Sequence, residues 1–169
     1  MKVIYALLKT YPDAREAVDL LLERGFEEQE MNAIVQEDVR DRQELGAELQ
    51  RTHEALSAAY AATGRKPTLN GLDRLLADQR PIDLPGAGSV VAGGNLANLM
   101  VRAALDPSGP GPGLSPSLAE FLPGAVAERL ARGVSEGRLL YWLRTTDERA
   151  AEAAAVLRKA AGVSEVHVA

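Results

Sequence analysis

One pattern occurs twice in this sequence, and it restricts the fold more than any other feature. Near the start the chain reads VIYALLKTYPDAREAVDLLLERGFEEQEMNAIV, and the stretch from Glu136 to Ala169 carries RLLYWLRTTDERAAEAAAVLRKAAGVSEVHVA. Each copy is an apolar run, a turn, a helix that opens on acidic residues, a glycine and a second short apolar run. Two β-α-β units therefore bracket everything else.

In the first copy, Val3 to Leu8 is continuously apolar, as in a strand buried on both faces. Pro12 suits the first turn of a helix, and Asp13 and Glu16 lie near the positive end of its dipole. Ala14, Ala17, Val18, Leu21 and Leu22 recur at helical spacing, Gly25 ends the helix, and Phe26 can fold back on its last turn. Met31 to Gln36 reads as a second strand. In the second copy, Leu139 to Leu143 is the apolar run and Thr145 and Glu148 have capping-box spacing. Ala150, Ala154, Leu157 and Ala161 line one helix face, Gly162 stops it, and Val163, Val166 and Val168 suggest a last strand with His167 on the opposite side.

Between the copies the pattern changes. Leu45, Leu49, Leu56 and Tyr60 mark a helix from about Asp41 to Ala62, ended by Gly64 and Pro67. A shorter helix carries Leu69, Leu72, Leu75 and Leu76. Pro81 to Gly94 (PIDLPGAGSVVAGG) is rich in turns, with Pro85–Gly86 between two short extended pieces. Asn95 is placed to cap a helix bearing Leu96, Leu99, Met100 and Ala103. Asp106 to Pro116 (DPSGPGPGLSP) reads as a linker or mobile surface loop. Leu118, Phe121 and Leu122 form one turn, and Pro123 opens a helix with Val126, Leu130 and Val134 facing inward, closed by Gly137.

The duplication predicts an α+β fold on the ferredoxin-like plan. That plan is a four-stranded antiparallel sheet, in spatial order 4-1-3-2, with a large, mainly helical insertion between the two halves. The expected organisation is a single domain with one half at 1–37, the insertion at 38–136 and the other half at 137–169. The first and third strands should be central and most apolar. The second and fourth contain Asn32, Gln36, Glu165 and His167, as edge strands do. Strand side chains alternate between faces, so Val3, Tyr5 and Leu7 oppose Ile4, Ala6 and Leu8, and Leu140 and Trp142 oppose Leu139, Tyr141 and Leu143. Both faces of the central strands are apolar, and the repeat helices cover only one. The other must be covered by the insertion or by a partner subunit packed sheet to sheet.

The candidate chemistry is sparse. The glycine-rich stretch Pro85 to Gly94 fails as a dinucleotide fingerprint because Val91 stands where the third glycine belongs. It fails as a P-loop because Gly94 and Asn95 replace the Lys and Ser/Thr. A turn that lets two backbones approach is the plain reading. The sharper one is an anion held on amide groups before the helix, through Gly86, Gly88, Gly93, Gly94 and Asn95. His53 and His167, the two histidines, sit in no metal-ligand spacing and read as surface residues, so no metal is expected. Glu27, Glu28 and Glu30 read as a solvated loop. Ser89, Ser115 and Ser117 lack a nearby base and a nucleophile elbow, so no catalytic residue is assigned. Tyr5, Tyr141 and Trp142 invite comparison with an RNA-recognition sheet, but GRLLYWLRT lacks the alternating aromatics of that motif.

The totals agree. Of 169 residues, 46% are hydrophobic and only 4% aromatic, so aliphatic side chains and alanine must fill the core. A net charge of −5 argues against a general nucleic-acid partner. The absence of cysteine removes disulfides, thiol catalysis and Cys-ligated metals. With no signal-peptide pattern and no run near the ~20 apolar residues of a membrane span, the expectation is a soluble cytoplasmic protein with no membrane partner.

IYALLKTYPDAREAVDLLLERGF, LPGAGSVVAGG and GVSEGRLLYWLRTTDERAAEAAAVLR, in that order, resemble the general stress protein family, the heat-induced YflT-like domain. The resemblance spans most of the chain outside the middle helix and the Pro/Gly loop. It implies a role in bacterial stress responses and carries no catalytic set. The expectation is thus a non-enzymatic stress protein, without cofactor, that works through contacts with itself, as a homo-oligomer through the sheet, or with another protein. The alternative is a regulatory module that binds a small anion or nucleotide at the Gly-rich loop 85–95, by analogy with other duplicated β-α-β sheets.

Overall fold

The computed structural model describes residues 1–42, 71–77 and 79–169. The expected middle helix beyond residue 42, with Leu45, Leu49, Leu56 and Tyr60, lies outside them, as do Gly64, Pro67, Leu69 and His53.

The first β-α-β unit is β1 (Lys2–Leu8), α1 (Tyr11–Glu23) and β2 (Met31–Gln36), with a short 3-10 turn at Glu28–Glu30. Local chemistry sets the limits of α1. Thr10 Oγ1 accepts the Asp13 N–H at 3.3 Å, and Pro12 stands in the first turn. At the far end Gly25 takes φ +81°, and the Phe26 N–H reaches back to the Leu21 carbonyl at 3.1 Å. The second unit is β5 (Leu139–Thr145), α6 (Asp147–Lys159) and β6 (Val163–Val168). Between them lie α2 (Gly71–Leu76), β3 (Ile82–Leu84), β4 (Gly88–Gly93), α3 (Asn95–Leu105), α4 (Leu114–Ala119) and α5 (Gly124–Ser135). Arg149 fastens the two units together: its guanidinium lies 3.9 Å from the Phe26 ring centroid and donates to the Arg24 carbonyl at 2.6 Å and to the Gly25 carbonyl at 3.2 Å.

The sheet has six strands in the order β3-β4-β2-β5-β1-β6, with every neighbouring pair antiparallel. This corrects the four-stranded ferredoxin-like expectation. The two extended pieces around Pro85–Gly86 form a hairpin, and β4 pairs with β2 from Ala33↔Gly93 to Gln36↔Val90. The insertion is therefore not only helical. β2 is also interior rather than an edge, and Asn32 on it is buried. β1 and β5 are central, paired in register from Lys2↔Thr145 to Leu8↔Leu139. The edges are β3 and β6.

Each sheet face carries its own core. Ile4, Ala6, Leu8, Leu139, Tyr141 and Leu143 pack under α1, α2 and α6. Tyr5, Leu7, Leu140 and Trp142 point the other way and pack under α3, α4 and α5. The alternation of apolar residues on the central strands maps onto two layers of helices. The second face is covered by this chain's own insertion. Tyr5 and Trp142 are cross-strand partners, with ring centroids 5.8 Å apart. α5 lies so close to the sheet that a Cβ at Gly133 would meet the Leu7 side chain.

Three local expectations shift. The strand β5 runs on to Thr145, so Thr146 takes the N-cap position of α6 and makes no side-chain capping bond. Of the turn expected from Leu118, Phe121 and Leu122, Leu118 and Leu122 are buried but Phe121 is 60% exposed. The segment from Asp106 folds on itself: the Ser108 N–H and Oγ both donate to Asp106 Oδ1, at 2.9 and 2.8 Å, and the Gly113 N–H donates to the Ala104 carbonyl. Those two bonds hold the Asp106 carboxyl below its ordinary range.

Candidate functional site

The five residues assigned to the glycine-rich loop fall into two groups. Gly86 lies in the β3–β4 turn and Gly88 opens β4, at φ +81° and +75°, and a Cβ at either would meet nothing within 4 Å. Gly93, Gly94 and Asn95 stand at the other end of β4. β4 runs from one group to the other, and five rises of ~3.4 Å from Gly88 to Gly93 set them about 17 Å apart. No single anion can touch both.

The Gly93–Gly94 end is filled by the protein itself. A Cβ at Gly93 would collide with the Leu75 carbonyl, and one at Gly94 with the Asn32 side chain. Asn32 Oδ1 accepts the Ala97 N–H at 3.0 Å, in the first turn of α3. The side chain from β2 thus does the capping that Asn95 was expected to do, and Gly94 is the N-cap residue by position. Asn95 itself is exposed on the first turn of α3. The glycines here allow close packing of α2 and β2 against the start of the helix.

The Gly86 end does border a pocket, of about 230 Å³, between the hairpin turn, the loop before α4 and the C-terminal part of α5. Gly86, Ala87, Gly113, Ser115, Arg132 and Ser135 are among its walls. Gln36 at the end of β2 braces it, with Nε2 donating to the Ala87 carbonyl at 3.1 Å and to the Ser135 carbonyl at 3.0 Å. Ser89 Oγ on β4 donates to Glu37 Oε2 at 2.7 Å, tying the hairpin to the residue after β2. Arg132 is exposed and supplies a cationic side chain to the pocket wall.

A polar cluster with no local signature in the sequence lies where α1 meets α2. Asp73 accepts from the Tyr11 hydroxyl at 3.0 Å and from Arg15 Nε and Nη2 at 3.2 and 3.1 Å. Burial and the neighbouring Asp73 charge push the Asp19 carboxyl up, against the pull of Arg15. These partners are about 60 residues apart in the chain. The arrangement neutralises a part-buried carboxylate and ties α2 to α1.

Elsewhere, Glu30 pairs with Arg144 at 3.0 Å and Glu28 with Arg74 at 3.6 Å, while Glu27 is exposed. His167 lies 3.4 Å from Glu165, which also accepts from Arg129 Nε at 2.7 Å. Burial raises the Glu165 carboxyl, but the bonds from Arg129 and His167 together hold it below its ordinary range. The aromatics of the central strands form no open stacking platform, because Tyr5, Tyr141 and Trp142 are all buried. Among the described residues no cluster of three or more His, Asp or Glu is set to hold a metal ion, and no helix is long and apolar enough to cross a membrane. Comparison with protein-family models, with curated proteins and with solved structures gives no match.

Proposed function

We propose that this is a bacterial general stress-response protein, non-enzymatic, acting through contacts between copies of itself. The observation that carries the reading is the difference between the two ends of the sheet. β3 has three residues and is flanked by Pro81 and Pro85, a device that blunts an edge. β6 has six residues, half-exposed from Val163 to His167 and exposed at Val168. An open strand of that length is a template for pairing. The resemblance carried by the two repeat units and LPGAGSVVAGG supports the stress context. The order β2-β5-β1-β6 within the wider sheet supports a ferredoxin-like unit enlarged by a hairpin.

Light scattering over a range of protein concentrations tests the self-association. A mass of two or more chains that persists on dilution is expected, and a monomer at every concentration would sink it. The stress context predicts a rise in the protein's cellular amount after heat challenge, and a constant amount would refute that part.

A second reading, a small-anion site at the Gly-rich turn, has one observation in its favour: the pocket beside Gly86 with Arg132 on its wall. Its 230 Å³ suits an inorganic anion better than a nucleotide, since organic ligands occupy about 300–1,000 Å³. Thermal shifts with phosphate and with nucleotides test it. No stabilisation by either removes this reading.

A further inference from the structure

The geometry points to a specific two-fold interface: β6 of one copy pairs antiparallel with β6 of a second copy, centred on Val166. The inference rests on the self-association reading and names its surface and register.

The hydrogen-bond phase of β6 is set by its inner neighbour. Val3 and Ala169 exchange both backbone bonds, N–H to O at 3.0 and 2.8 Å. In an antiparallel pair such exchanges recur at every second residue, so Tyr5↔His167 and Leu7↔Glu165 are the next ones. The backbone groups of Glu165 and His167 therefore point into the sheet. Those of Val166 and Val168 point outward. A second β6 related by a two-fold axis at Val166 would exchange both bonds of Val166 with its counterpart.

Side chains select that register over its neighbours. An axis at Glu165 would set two carboxylates directly opposite each other, and an axis at His167 would set two imidazoles opposite each other. An axis at Val166 sets Glu165 against His167 twice, in the non-hydrogen-bonded positions where cross-strand side chains come closest. Each carboxylate would then have Arg129 and His167 of its own chain and the second copy's imidazole around it. On the other face, the half-buried Val166 pair would continue the apolar strip made by Val163 and Val166 against the first core. The bulge opposite Leu7 and Leu8 falls at Ser164, two residues from this centre, so the regular pairing runs through Glu165, Val166 and His167.

The absence of cysteine makes the test direct. Val166→Cys places two thiols across the axis with Cα atoms about 5.5 Å apart, inside the ~4.4–6.8 Å span of a disulfide. Mild oxidation of the full chain is expected to give a covalent dimer in high yield. Asp83→Cys, on the opposite edge strand, is expected to stay monomeric on a denaturing gel. Charge reversal tests the register: Glu165→Lys should weaken the dimer at least tenfold, and Glu165→Lys with His167→Glu should recover it. The fold of each variant is followed by circular dichroism. If the wild-type chain is dimeric but Val166→Cys forms no cross-link, and the double reversal recovers nothing, this interface is wrong while self-association stands. A wild-type chain that is monomeric at all concentrations overturns both. That result would leave β6 open for an extended segment of a different protein.

Discussion

Tyr141 offers the sharpest test of the packing. It sits on central strand β5, 1% exposed, inside the core formed with α1, α2 and α6. Its hydroxyl is buried and has no hydrogen-bond partner among the described residues. Taking a hydroxyl out of water without a partner costs about 1–3 kcal/mol. Tyr141→Phe removes that oxygen and keeps the ring, so the variant should be more stable by roughly that amount. For a chain of this size each kcal/mol moves Tm by about 2–4 °C, which predicts a rise of roughly 2–12 °C. Urea unfolding should show a higher midpoint with an unchanged slope. Alkaline pH gives an independent reading. Burial pushes the Tyr141 hydroxyl far above its ordinary value, whereas the unfolded chain ionises near pH ~10. Above that pH the folded state holds a proton the unfolded state has released, so stability falls as pH rises. Burial also raises Tyr5, so the Phe variant should lessen the alkaline slope without abolishing it. A loss of 1 kcal/mol or more in Tyr141→Phe would refute the reasoning, since it would mean the hydroxyl is satisfied.

Other substitutions probe the site and the edge. Asn32→Ala removes the acceptor for the Ala97 N–H and should cost about 0.5–2 kcal/mol in urea unfolding, the range of a lost helix cap. Gly86→Ala and Gly94→Ala both force a side chain onto a left-handed backbone, about 1–2 kcal/mol each. Only Gly94→Ala also drives a Cβ into Asn32, so its loss of Tm should be clearly the larger. Equal losses would mean that the start of α3 is not packed as described. Glu165 is held below its ordinary range in the folded state, so its contribution is present above pH ~4.3 and lost as pH falls through the folded value. Glu165→Gln should flatten the acid limb of the stability curve below about pH 5.

Much of this architecture was legible because it is local. Strict alternation on Val3 to Leu8 and Leu139 to Leu143 assigned each side chain to its face, and Pro12 and Gly25 marked the limits of α1. What escaped depended on contacts far along the chain. Whether Ile82 to Leu84 and Gly88 to Gly93 join a sheet is decided by β2, more than 50 residues earlier. Asn32 reads as an edge residue until β4 covers β2 and α3 begins beside it. Thr145 and Glu148 had the right spacing for a cap, but the pairing Lys2↔Thr145 keeps that residue in the strand. For the site, the glycine pattern suggested a single loop, while the extended backbone of β4 places its two ends at different corners. The cluster around Asp73 had no local signature, since α1 and α2 meet only in the folded chain.

The place of β1 between β5 and β6 also bears on how the fold is reached. In chain order β1 precedes both of its neighbours, yet Ile4 pairs with Leu143 on one side and Val168 on the other. Neither neighbour exists until more than 130 further residues have been made. Contacts that distant close large loops before they give any return, which slows folding. An apolar strand waiting that long is also exposed to aggregation during synthesis. β1 therefore has no native strand partner until β5 and β6 are made. Tethering β1 directly after β6 by circular permutation would shorten one of these closures and should raise the folding rate with little change in the native sheet.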